Sequence, residues 1–149
     1  MNRTNTKKME EAQTMRRAGA SCSQSVAAPF AADAGISKKA VMALSLPFAG
    51  GMARGATCGA LTGAYIAAGL LVGGNSEDDA VNRAASVKAV TELNAIFEER
   101  FGDLTCKGML NCDPATPEGA ERMKAENLKE KICMPAILAC VEYLERLQR

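Results

Sequence analysis

The stretch Gly50–Gly74, GGMARGATCGALTGAYIAAGLLVGG, decides how the chain reads. A glycine-broken turn runs into a helix of small residues, with Cys58 at its expected start. Thr57 suits the N-cap position, which makes Cys58 the first helical residue, at the positive end of the helix dipole. A thiol placed there ionises more readily, and the thiolate is both nucleophile and metal ligand. From Cys58 to about Leu71 the run is apolar nearly all round, which predicts a helix buried on most sides. Residues 56–74 carry no charge and Gly59 and Gly63 form a GxxxG pair, so a membrane helix is the rival reading. The weak hydrophobicity of Gly and Ala, Arg54 just before the run and acids just after it favour burial inside a bundle.

Composition agrees with helices packed closely through small side chains. The 149 residues suit one domain with a sizeable core. There is no Trp, and Phe and Tyr together number only six, four and two. We therefore expect an all-α fold: a compact bundle of about five to six helices around the Gly/Ala-rich central helix. Residues 1–7 read as a flexible tail and 8–149 as a single helical domain. The net charge of +1 gives no basic field for nucleic acid.

The chain contains no histidine. That excludes Ser-His-Asp and Cys-His nucleophile pairs, Cys/His zinc fingers, HExxH sites and CxxCH haem attachment. Any metal must be held by thiolates, carboxylates or backbone. The six cysteines are Cys22, Cys58, Cys106, Cys112, Cys133 and Cys140. The polar N-terminal stretch MNRTNTKKMEEAQTMRR lacks the apolar core of a secretory signal, so a reducing, cytoplasmic setting is expected. There, clustered cysteines point to metal binding or redox work more often than to permanent cross-links.

Outward from the central run, Lys8–Arg17 reads as a short helix. Ser21-Cys22-Ser23-Gln24 has capping-box spacing, so a second helix is expected to start at Cys22 and to end near Pro29. Ser37 caps a third helix that carries Val41, Leu44 and Leu46. Asn75 or Ser76 caps the long helix that follows, and Gly102 stops it. A helical turn carries Cys106, and Pro117 opens another helix behind Thr116. The last helix lies within Leu128–Arg149, with Pro135 in its first turn.

Cys22 and Cys58 each follow a hydroxyl residue and precede a helix, and Cys106 follows Thr105 with Lys107 beside it. Cys133 also sits near a helix start. Cys112 lies in a loop and reads as exposed, and Cys140 falls on an apolar stripe and reads as core. Cys133 and Cys140 are about 10 Å apart along a helix, too far to bridge each other. The bland reading of Cys22 and Cys58 is two buried small hydrophobes. With no CxxC present, any shared site must be assembled from distant helix ends.

Taken in order, these residues resemble the C_GCAxxG_C_C family of redox-active proteins. Cys58-Gly59-Ala60-Leu61-Thr62-Gly63 carries the CGAxxG motif, and Cys22 in SCSQSV corresponds to the first family cysteine. Cys106, after Phe101-Gly102, corresponds to the third and Cys133 to the fourth. The chain is also similar to the cysteine-bearing part of split-Soret cytochromes, although it has no haem motif and no haem is expected. The resemblance implies a redox site using Cys22, Cys58, Cys106 and Cys133. One reading is a 2Fe–2S cluster or zinc held by the four thiolates; another is thiol–disulfide exchange with Cys58 and Cys22 as catalytic thiols and Cys58 attacking. Gly55, Gly59 and Gly63, with Gly50 and Gly51, would let backbone approach the site or cofactor. The alternative is a structural metal module that binds a partner and catalyses nothing. The redox partner is unidentified, and an exposed edge of the central helix would suit a homodimer.

Overall fold

The computed structural model describes residues 5–149. Of the expected 1–7 tail, residues 1–4 lie outside the described residues, and Lys7 already belongs to the first helix. That helix, α1 (Lys7–Arg17), starts where the Thr6 hydroxyl accepts the Met9 amide at 3.2 Å. α2 (Cys22–Ala27) opens on the expected capping box, in which Ser21 and Gln24 satisfy each other's amides. Pro29 lies in a tight turn that ends it. α3 (Lys38–Ser45) is capped by Ser37.

α4 (Gly59–Val72) is the glycine- and alanine-rich helix, and α5 (Asp79–Phe101) is the long one, closed by Gly102 at φ 74°. α6 (Cys106–Leu110) and α7 (Pro117–Ala125) are short, each capped by a threonine, Thr105 and Thr116. α8 (Met134–Leu147) has Pro135 in its first turn. It is entered through a wide turn in which the Met134 amide reaches back to the Lys129 carbonyl.

Among the described residues there are eight helices and no strand, only an isolated antiparallel bridge between Thr57 and Thr105. The all-helical expectation stands, while the count exceeds five to six. The difference lies in short pieces such as the expected turn at Cys106, which is a helix in its own right, α6, five residues long. The cap of α5 also differs. Asn75 turns back to the Leu71 carbonyl and Ser76 accepts the Asp78 amide, leaving Asp78 to cap the helix through the Ala80 amide.

α4 is central, packed against α2, α5 and α8. Ala60, Leu61, Ala64, Ala67 and Ala68 are buried together with Phe97 and Leu93 of α5 and Ile137, Val141 and Leu144 of α8. The seam with α2 is very close, since a Cβ on Gly63 would lie 2.6 Å from the Ser23 carbonyl oxygen. Ser23 and Ser45, buried near this seam, satisfy their hydroxyls on the Ser45 and Val41 carbonyls at 2.8 and 2.7 Å. No helix among the described residues is long and apolar enough to cross a membrane.

Candidate functional site

Cys22, Cys58, Cys106 and Cys133 line one cavity of about 350 Å³. Each arrives by a different local device. Cys22 is the first residue of α2, and its Cβ lies 3.3 Å from where a Cβ would sit on Gly59. The bare backbone of α4 is what lets α2 bring this cysteine alongside Cys58. Cys133 comes from the wide turn before α8, which an Arg17–Glu130 ion pair ties to the end of α1.

Cys58 and Cys106 are placed by the bridge. The Cys58 amide donates to the Leu104 carbonyl at 2.8 Å, and the Cys106 amide donates to the Ala56 carbonyl at 2.7 Å. Cys58 stands opposite residue 104, which makes Cys106 its diagonal neighbour on the same face. Sequence reasoning missed this bridge. Its signal was the Thr-Cys dipeptide occurring twice, at 57–58 and 105–106, with a β-branched residue at each pairing position.

The bridge also corrects the expected cap. Thr57 is engaged with Thr105, Cys58 is itself the N-cap at φ −48°, ψ 132°, and Gly59 is the first helical residue. The glycines divide likewise. Gly59 lines the cavity, whereas Gly63 is spent on the seam with Ser23 and Gly55 lies under the Lys107 side chain. Before them the chain makes an irregular left-handed turn, with Gly50, Gly51, Met52 and Ala53 at φ 63°, 66°, 58° and 59°.

Electrostatics separate the four thiols. Cys22 is pulled well below the ordinary thiol value, chiefly by a hydrogen bond from Cys133. Burial opposes that shift; the charges of Arg16 and Lys129 and the Cys22 backbone amide assist it. Cys133 moves the opposite way, because its proton is the one shared with Cys22 and because it is buried. Cys58, expected to ionise readily, is pushed up to about 11. The amides of Ala60 and Leu61 favour its anion as the dipole argument requires, but desolvation and the neighbouring Cys22 charge outweigh them. Cys106 is raised to about 12, first by burial and then by the Cys58 and Cys22 charges.

The remaining cysteines lie off this wall. Cys140 is fully buried in the main core, as its stripe implied, and burial raises its pKa. Cys112, read as exposed, is half-buried beside Leu110 and Met123, with its sulfur 3.9 Å from the Gly119 carbonyl oxygen.

Four thiols without histidine are a donor set of the right chemistry for zinc or an iron–sulfur cluster. The side chains as placed do not form one: among the described residues no three Cys, Asp or Glu side chains are gathered to hold a metal ion. What the wall does contain is a cysteine pair that acts on itself: Cys133 favours the Cys22 anion, and Cys22 disfavours that of Cys133. An all-helical protein with such a pair lining a cavity belongs to the class of thiol-bearing helical proteins. The chain is a member of the family described as "Putative redox-active protein (C_GCAxxG_C_C)", whose model matches residues 20–147. No curated protein and no solved structure matches it.

Proposed function

We propose that the protein carries out thiol–disulfide exchange through Cys22 and Cys133, with Cys22 as the attacking sulfur. The observation that carries this reading is that Cys22 and Cys133 line one cavity together with Arg16 and Lys129. The thiolate is the reactive form, and Cys133, Arg16 and Lys129 all favour it at Cys22. Cys22 attacks one sulfur of a disulfide, forming a mixed disulfide and releasing one thiolate. Cys133 then gives its proton to the released thiolate and attacks the Cys22 sulfur, closing a Cys22–Cys133 disulfide and releasing the second thiolate. Two electrons pass from the two protein sulfurs to the two released ones. Cys58 and Cys106, held neutral by burial, shape the wall beside them.

A metal centre on the same four cysteines is the second reading, favoured by their lining one cavity. It requires Cys58 and Cys106 to turn toward the Cys22–Cys133 pair. Anaerobic purification with an absorption spectrum and metal analysis separates it from exchange.

The deciding experiment poises the reduced chain in graded glutathione redox buffers and maps peptides without reduction. The expected product is a Cys22–Cys133 disulfide that dithiothreitol reverses. Both cysteines remaining free across the whole range would overturn the proposal.

A further inference from the structure

Resting on the exchange reading, we infer that the cavity selects its disulfide: a small organic one whose transferred half is apolar and carries a carboxylate or similar anion near the sulfur. Three observations carry this. The cavity is at the small end of the usual range for organic ligands, about 300–1,000 Å³. Cys133 is only 9% exposed and Cys22 is half-buried, so a slender small-molecule disulfide reaches both sulfurs more readily than the folded surface of a protein does. Much of the wall is apolar, built from Leu46, Met109, Leu110, Met123 and Ile132.

The charged part of the wall is one-sided. Arg16 and Lys129 line it and no carboxylate does. Arg16 donates through one terminal nitrogen to the Ala20 carbonyl at 3.0 Å, while its buried Nε finds no acceptor among the described residues. A buried donor left unpaired costs about 1–3 kcal/mol, and an anion on the ligand removes that cost. Arg16, Lys129 and Cys22 share one cavity wall, so a carboxylate close to the sulfur of the bound half meets both cations.

The test uses the full reduced chain at pH 7 and four disulfides: 2,2′-dithiodibenzoate, 4,4′-dithiodipyridine, dithiodiglycolate and cystamine. Each rate of mixed-disulfide formation is divided by the rate of the same reagent with a small free thiol, which removes intrinsic reactivity. The aromatic dianion is expected to exceed the neutral aromatic about tenfold and the dication cystamine by more, in line with charge focusing in low-dielectric clefts. Dithiodiglycolate, anionic but without the apolar body, is expected to lag behind 2,2′-dithiodibenzoate. Lys129→Gln, at an exposed position, and Arg16→Gln should each shrink the dianion-to-neutral ratio severalfold, and Arg16→Lys should largely keep it. Ratios blind to charge, or unchanged in both Gln variants, overturn the selectivity and leave exchange standing. Equal normalised rates for the two dianions overturn the apolar requirement. Absence of any Cys22 adduct with all four reagents overturns exchange as well.

Discussion

Gly63 of α4 lies against the backbone of Ser23 in α2, so close that a Cβ would sit 2.6 Å from its carbonyl oxygen and 2.8 Å from its Cα. The neighbour is backbone in a helix, which cannot swing aside as a side chain can. Gly63→Ala must therefore push α2 away from α4. The expected cost is about 1–3 kcal/mol, the usual range for overpacking. Because Cys22 opens α2, the same shift should loosen its pairing with Cys133 and slow its alkylation. Urea unfolding checks the first effect and timed iodoacetamide labelling the second. Unchanged stability would mean that α2 and α4 have room for a methyl group at this seam.

The thiol pair makes a pH prediction with a definite sign. Cys22 is held below the ordinary thiol value of about 8.5, so its alkylation rate should stay high as pH falls below that value and drop only at more acidic pH. Cys133→Ala removes the largest influence lowering the Cys22 pKa and should move the midpoint upward, reducing the rate at pH 7. Cys58→Ala removes no such influence and should leave Cys22 labelling at pH 7 high. Peptide mapping of labelled Cys22 across pH 5–10 reads both variants.

Stability should respond to pH through the other thiols. Cys58, at about 11, and Cys106, at about 12, stay protonated in the folded chain after the same thiols ionise in the unfolded one. Between roughly pH 8.5 and those values the unfolded state binds fewer protons, so stability falls as pH rises. The part owed to these thiols is fully present below about pH 8.5. Each contributes a slope of up to about 1.4 kcal/mol per pH unit within its window. Denaturant midpoints at pH 7.5, 9 and 10 should decline, and Cys58→Ala should flatten the decline. Cys22, shifted the other way, loses its stabilising contribution only as pH falls through its lowered value.

How far these features were legible in the sequence depends on their range. The Ser21 capping box, the Gly102 stop and the Pro117 helix start are written within four residues and were readable as such. The placing of four distant cysteines on one cavity came from the family resemblance together with their positions near helix starts. Two things were not readable. The Thr57–Thr105 bridge joins segments 48 residues apart, and nothing local distinguishes a paired threonine from a capping one. The order of ionisation among the thiols was also hidden. The dipole at Cys58 is a local property, whereas the burial that overrides it and the Cys133 proton that favours Cys22 belong to the packed structure.

The turn before α4 offers a stabilising change. Ala53 is exposed and held at φ 59°, ψ 17°, a left-handed conformation that costs a non-glycine residue about 1–2 kcal/mol. Glycine adopts it freely but loses more backbone entropy on folding, which offsets part of the gain. Ala53→Gly should therefore raise stability by up to about 1 kcal/mol, while Ala53→Val, with a branched Cβ, should lower it. The same turn carries Gly50 on the cavity wall, so the two variants also ask whether its strain matters to the thiols. Thermal unfolding gives the stability order expected, Gly above Ala above Val. If Cys22 labelling is identical in all three, the turn holds the wall without tuning the chemistry.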